Sequence, residues 1–401
     1  MTGPDARSTA AQRVEPSVLR QVRATLQARR EAGLWRSLGA RTPWPGGSSP
    51  GDIGDIDLAS NDYLRLATNP RVTAAAAQAA RTWGAGSGAS QLVTGHTELH
   101  AALEAALAGF TGSESALTFS SGYLANLGLV TALAGPGTLV VSDIDNHASL
   151  IDACRLSRAR VEVVGHRDVA RVRTALQSRS EAHAVVVTDA VFSVDGDLAP
   201  LRELHEVCHA HEAWLVVDEA HALGVVGPGG RGAAAAAGIA GEPDVLLTVT
   251  LSKALGSQGG AVLGPVEVRD LLVNTARPVI FDTALAPPAT AAATEALRVL
   301  ASDPGLPERA RAAADWLAGT ATAVGLRASR PDAAVVSVLM GSEEAALLGR
   351  DACQRHGVRV GCFRPPSVPP GRSCLRLTAH PGLTAVEQDR IRRALESAAR
   401  G

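Results

Sequence analysis

The residues best equipped for chemistry in this chain fall in a few short segments. Lys253 lies in LSKALGSQGG (Leu251 to Gly260), directly after a β-branched run and among Ser, Gly and Ala. An unpaired ammonium is costly to bury, so such a lysine is either solvated on a loop or holds a bound group. Asp218 and His221 share DEAH, His147 closes DIDNH, and Asp189 opens DAVFSVDG. An amine that can attack a carbonyl, carboxylates that can hold a proton and imidazoles that can donate one suit nucleophilic and acid–base catalysis. Each alone has a plainer explanation as a strand-end carboxylate, a structural histidine or a surface lysine. SSGYLANLG (Ser120 to Gly128) adds a Ser/Gly turn opening a helix, where free amides suit a phosphate.

The elements around these segments alternate strongly. Strand patterns at Leu139 to Ser142, Arg160 to Val164, Ala184 to Thr188, Trp214 to Val217 and Val245 to Thr250 are separated by helical periodicities at Ala148 to Ser157, Val169 to Arg179 and Leu201 to His211. Near-continuous runs such as AVVVT and WLVV mark strands buried on both faces, which predicts an α/β fold with a largely parallel sheet covered by helices. Ligands of such sheets sit beyond the carboxyl ends of the strands, and DIDNH, DAVFSVDG, DEAH and TLSK all fall there. Upstream, helical patterns cover Ser17 to Leu38, Arg71 to Trp83 and Thr97 to Phe110, with GAGSGASQLVTGH as a small-residue loop. Arg36 at the end of the first pattern has the bland reading of a solvated helix C-terminus. The last hundred residues read as a small α+β unit carrying Arg364 and Arg376 back toward the large one. We expect an arm, helix and linker over 1–58, a large domain over 59–288 and a small C-terminal domain over 289–401.

Composition narrows the function classes. The formal charge of -2 balances 38 basic against 40 acidic residues without long blocks, so no nucleic acid or anionic membrane is expected as a partner. The five cysteines form no CxxC pair, which suggests neither a disulfide framework nor a thiolate metal site and suits a reducing cytoplasm. No run reaches membrane-spanning length, and no apolar leader segment opens the chain.

A strand-end aspartate, a lysine after a later strand and a glycine-opened helix together fit pyridoxal phosphate. That cofactor needs a lysine for its Schiff base, a carboxylate to keep the pyridine nitrogen protonated, and amides or hydroxyls for its phosphate. Lys253, Asp218 and the Gly122/Thr250 pair supply these.

SNDYL, LVTG, SSGYLANLG, the His147 segment, VFSVDGDLAPL, VDEAHALGV, TLSKALGSQGG and CFRPPSVPPG follow one another as in the α-oxoamine synthases, and the chain resembles that family of fold-type I pyridoxal phosphate enzymes from about Arg29 to Ala399. The resemblance implies that Lys253 bonds the cofactor aldehyde, Asp218 pairs with the pyridinium, His221 bonds the ring hydroxyl, His147 stacks on the ring and Ser193 also touches the cofactor. It places Gly122, Tyr123 and Thr250 at or near the phosphate, with Thr283 reaching the phosphate of a neighbouring subunit. Asn61 and Arg376 correspond to groups that hold the amino-acid carboxylate, and Arg36, Ser367 and Arg364 to positions on the substrate side. The implied reaction is decarboxylative condensation of L-alanine with an acyl thioester, pimeloyl on CoA or on a carrier protein, giving 8-amino-7-oxononanoate for biotin synthesis in a cytoplasmic homodimer. Glycine with an acetyl group, serine with a long acyl chain, or a secondary-metabolite acyl carrier would use the same core residues.

Gln91, Asp189, Ala222 and Arg65 depart from the residues usual in this family, which bears on the acyl substrate rather than on the cofactor. HEVCH (His205 to His209) matches a zinc-hydrolase motif. Leu201, Leu204, Val207 and Cys208 take the buried arc of its helix, and the helix precedes its strand, so no metal is expected in the site. DEAH resembles a helicase box, but GxxxxGK[ST] is missing. A non-enzymatic regulator of the same fold would need an added recognition module, and none is evident.

Overall fold

The computed structural model describes residues 17–40 and 55–400. The lead-in over 1–16 and most of the linker after Arg36 lie outside the described residues. Twelve strands occur among the described residues: β1 (Ile56–Leu58), β2 (Ser115–Phe119), β3 (Thr138–Asp143), β4 (Arg160–Val164), β5 (His183–Asp189), β6 (Trp214–Asp218), β7 (Val245–Thr250), β8 (Gly260–Gly264), β9 (Arg327–Ala328), β10 (Val335–Gly341), β11 (Val358–Phe363) and β12 (Ser373–Thr378). Seven form one sheet in the order β2-β8-β7-β6-β5-β3-β4. All neighbours pair in parallel except β8, which is antiparallel to both β2 and β7.

Strand periodicity explains the layering. Val140, Val185, Val187, Val216, Leu246 and Val262 face one side and pack against the helices Gly122–Leu133, Ala148–Ser157 and Val266–Thr275. Their neighbours Leu139, Val141, Val186, Leu215, Val217 and Leu247 face the other side, where Leu103, Leu107, Leu176, Leu204 and Val207 cover them. Because side chains alternate across a strand, a run of Val and Leu fills both layers at once. The five cysteines are all free, and no helix among the described residues is long and apolar enough to cross a membrane.

The second sheet runs β1-β11-β12-β10-β9, with β1 parallel to β11 and the other pairs antiparallel. The chain ahead of residue 59 therefore contributes a strand to the sheet of the last hundred residues. This register places Arg376 of β12 between Ser337 of β10 and Gly361 of β11.

Two local readings are corrected. The first helix ends at Glu31 rather than Leu38, because Gly33 adopts a left-handed φ of 68° and closes the last turn onto Arg30. The loop after Gly84 contains a π-helical turn, Gln91–Gly95. One strand is not predicted: after Lys253 the chain doubles back as β8, a strand of mostly small residues that periodicity does not mark.

Candidate active site

The carboxyl ends of β3, β5, β6 and β7 bring His147, Ser193, Asp218, His221, Thr250 and Lys253 to one edge of the large sheet. Asp189 and Asp218 are direct partners in the β5–β6 register. Asp218 is buried, with Oδ1 accepting from Ala220 N at 2.9 Å and Oδ2 from Asn126 Nδ2 at 2.7 Å. Asn126 is a hub: the same amide donates to Ser149 Oγ at 2.8 Å, and its oxygen accepts from Thr248 Oγ1 at 2.7 Å. Ser149 in turn contacts His147 Nδ1 at 2.8 Å. Because His147 Nδ1 also accepts from the Ser149 amide, its proton is assigned to Nε2, which leaves that N–H free to donate. Desolvation lowers the His147 pKa, Asp218 opposes this, and the positive charge of Lys253 adds to it. His147 is therefore neutral near pH 7.

Lys253 Nζ lies 2.8 Å from His221 Nε2, and His221 Nδ1 lies 2.6 Å from Tyr63 Oη. Burial pulls the Lys253 amine down to about 8; Asp218 and Asp189 oppose this and Arg376 reinforces it. His221 is pushed well below its ordinary range by burial and then by the positive charges of Lys253 and Arg376. A neutral His221 accepting from Lys253 at Nε2 must carry its proton on Nδ1 and donate to Tyr63. Tyr63 Oη donates to Asn61 Oδ1 at 3.2 Å.

Arg376 closes the chain of bonds from the other sheet. It donates to Ser193 O at 2.6 Å, Asn61 Oδ1 at 3.0 Å and Tyr63 Oη at 3.2 Å. Only 4% exposed, its guanidinium meets neutral acceptors and no carboxylate among the described residues. A buried cation left without an anion is costly, so this position is prepared for one.

At the other end, Ser121 caps the Gly122–Leu133 helix by accepting from Leu124 N at 3.1 Å. A Cβ on Gly122 would lie 3.1 Å from Thr250 Cβ, and one on Gly260 would lie 2.5 Å from Gly122 N. Glycine at both positions brings β7, β8 and the helix start together, leaving unpaired first-turn amides beside the Thr250 and Ser252 hydroxyls, 2.8 Å apart. An anion cradle, a buried carboxylate oriented by an amide and an amine held near neutrality form the donor set that pyridoxal phosphate requires, and the residues present fit it.

Other sequence-derived residues lie further out. Tyr123 packs edge-on to His147 and bonds Asp152 through its hydroxyl. Arg36 reaches Ser367 Oγ at 3.5 Å, and Arg364 donates to Gly33 O at 3.0 Å, so the segment after the first helix meets the 364–368 loop. Ser367 and Ser193 line an 870 Å³ cavity between the strand ends and that loop, together with Ile144, Phe192, Arg327 and Arg372. Thr283 is exposed, bridged through its backbone to Ser90, and no hydrogen bond joins it to Gly122 or Thr250.

Sequence reasoning missed Tyr63 and Asn126 as site residues, although both stand inside motifs it singled out, SNDYL and SSGYLANLG. Gln91 is half-buried and donates to Thr118 O at 2.6 Å, which braces the π-helical turn against β2. Arg65 has a φ of 56°. That left-handed conformation is strained for a side chain and free for glycine, which explains why glycine is usual there in the family it resembles.

A doubly layered, mainly parallel sheet with a Schiff-base-competent lysine, a buried carboxylate partner and a helix-start anion cradle at its carboxyl edge defines a fold-type I pyridoxal-phosphate transferase. The model of the aminotransferase class I and II family matches residues 53–395. An 8-amino-7-oxononanoate synthase of Mycobacterium sp. (strain JLS) is 60% identical over 367 residues, covering 92% of this chain and 93% of its own. Among solved structures, SPT with the PLP internal aldimine superposes with a TM-score of 0.87 at 31% identity, over 96% of this chain and 98% of its own. The 8-amino-7-oxononanoate synthase of Francisella tularensis superposes with a TM-score of 0.74 at 27% identity, over 86% and 97%. The chain belongs to the aminotransferase class I and II family and, within it, to the pyridoxal-phosphate-dependent acyltransferases of the 8-amino-7-oxononanoate synthase type.

Proposed function

We propose that this enzyme condenses L-alanine with a pimeloyl thioester, carried by CoA or an acyl carrier protein, releasing CO2, the free thiol and 8-amino-7-oxononanoate for biotin synthesis. The observation that carries the reading is Arg376, a buried cation that meets no carboxylate among the described residues and is hydrogen-bonded through Tyr63 and His221 to the amine of Lys253. An amino-acid carboxylate met by Arg376 and Asn61 would bring its Cα within the reach of Lys253.

Pyridoxal phosphate, when bound, supplies a pyridine ring that accepts the electron pair left at Cα. Asp218 holds a proton on the ring nitrogen, its two oxygens oriented by Ala220 and Asn126. Lys253, with its amine held near pH 8, takes the Cα proton close to neutrality and returns it after CO2 leaves. His147 donates its free Nε2–H to the thioester oxygen as negative charge gathers there, a bond that strengthens toward the transition state. The 870 Å³ cavity offers apolar wall from Phe192 and Val368 for an acyl chain, and Arg327 for a distal carboxylate.

The site is proposed to be shared across a cytoplasmic homodimer. Phe281 (68% exposed), Leu92 and Val93 leave apolar surface bare around Thr283, as a subunit interface would use it. Sedimentation as monomer alone would contradict the dimer.

The test is a panel of alanine, glycine and serine against pimeloyl, acetyl and palmitoyl thioesters, with mass spectrometry of the ketone. Alanine with pimeloyl should dominate, and preference for serine with palmitoyl would favour the reading suggested by the SPT likeness. Lys253→Ala should lose the visible absorbance of the bound cofactor, and a wild-type protein that stays colourless with added cofactor would sink the proposal.

A further inference from the structure

HEVCH lies on the Leu201–Ala210 helix, whose buried face of Leu201, Leu204, Val207 and Cys208 is fixed against the large sheet. That packing leaves His205 and His209, one turn apart, facing the loop that enters β7. Asp244, the last residue of that loop, stands between them. Its Oδ1 is 2.9 Å from His205 Nε2 and its Oδ2 is 2.9 Å from His209 Nδ1. All three potential ligand atoms fall within 4.8 Å of one another. The backbone of Asp244 is tied down as well, since its carbonyl accepts from Leu215 N at 2.9 Å. Two imidazoles and a carboxylate are thus carried by a packed helix and a strand start, the kind of support that keeps metal ligands in register.

We propose that His205, His209 and Asp244 form a binding site for one divalent transition-metal ion of the zinc class, clipping the Leu201–Ala210 helix to the amino end of β7. Nitrogen ligands favour zinc, nickel or copper over magnesium or calcium. Ligand contacts of about 2.0–2.2 Å on each atom require the carboxylate to swing aside so that the ion replaces its two hydrogen bonds. His209, with its side chain 72% exposed, leaves the outer coordination position to water.

The placement separates this site from hydrolysis and from the cofactor chemistry. Asp244 precedes β7 and Lys253 follows it, so six extended residues, about 20 Å, lie between them. The motif glutamate, Glu206, is exposed on the helix rather than set in a cleft. The ion would act on the stability of the helix–strand junction, not on the reaction.

The test uses the tag-free, cofactor-loaded enzyme, treated with chelator and freed of it, then titrated with Zn2+ against a chromophoric indicator and followed by thermal unfolding. The wild type should take up one equivalent per chain, with a Tm that rises with Zn2+ and does not respond to Mg2+. Loss of a supporting residue alone costs about 10–100-fold in metal affinity, so H209Q and D244N should each weaken binding at least about tenfold. H211Q should bind as the wild type does, and turnover of H209Q should match wild type. No uptake by the wild type, equal affinity in H209Q, or an equal Tm response to Mg2+ would overturn the proposal. Because His209 is exposed, its substitution tests the site without threatening the fold.

Discussion

Tyr63→Phe isolates the link between the two sheets. The hydroxyl is buried and takes part in three hydrogen bonds, accepting from His221 Nδ1 and Arg376 Nη2 and donating to Asn61. Phenylalanine keeps the ring and its packing but leaves the His221 and Arg376 donors without a partner. An unsatisfied buried donor costs about 1–3 kcal/mol, so the pair costs at least about 2 kcal/mol. Where that cost falls on the alanine-bound state, it corresponds to about thirtyfold in kcat/KM. Arg376 loses one of three anchors, so the effect should appear mainly as a raised KM for alanine, with the KM for the thioester nearly constant. Steady-state kinetics with alanine varied at saturating thioester, alongside urea unfolding of the cofactor-free protein, reads both possibilities. An unchanged KM for alanine together with an unchanged urea midpoint would refute the network.

Three further outcomes follow from the same geometry. In the cofactor-free chain, the Lys253 amine should become reactive toward acylating reagents with a half-point near pH 8, and a half-point near 10.5 would remove the argument from burial. The sign for stability is set by the same depression: between about 8 and 10.5 the unfolded chain binds the extra proton, so this residue's contribution becomes more favourable as pH rises through that window. Asn126→Ala strips a charge-assisted bond worth about 1.5–3 kcal/mol from Asp218, and should lower turnover at least tenfold while leaving the KM for alanine near wild type; a stopped assay across alanine concentrations decides it. Gly260→Ala puts a methyl 2.5 Å from the Gly122 amide, so the helix start must retreat at a cost of about 1–3 kcal/mol, and fluorescence titration should show weakened pyridoxal phosphate binding with the thermal midpoint lowered.

Much of this protein is written in local pattern. Runs of Val and Leu bounded by turn residues mark the parallel strands because a strand buried on both faces has no polar side to show. Lys253, Asp218, His221 and His147 are legible because they occupy strand ends, where an open α/β sheet binds its ligands. What periodicity could not carry is pairing between distant segments. β8 is nearly silent, since its Gly and Ala are chosen for close approach to the Gly122 amide rather than for a hydrophobic face. Tyr63 acquires its role only when β12 sets the buried Arg376 guanidinium against SNDYL, more than three hundred residues earlier in the chain, and Asn126 only when its helix packs its amide against Asp218 at the end of β6. Asp244 likewise joins HEVCH only through the parallel register of β6 and β7. Most strands and helices and the cofactor chemistry could be read from side-chain spacing, because both are local properties of the chain. Which amine is held near neutrality, which cation waits for an anion and which histidines share a carboxylate depend on burial and on contacts between distant segments, which no local pattern encodes.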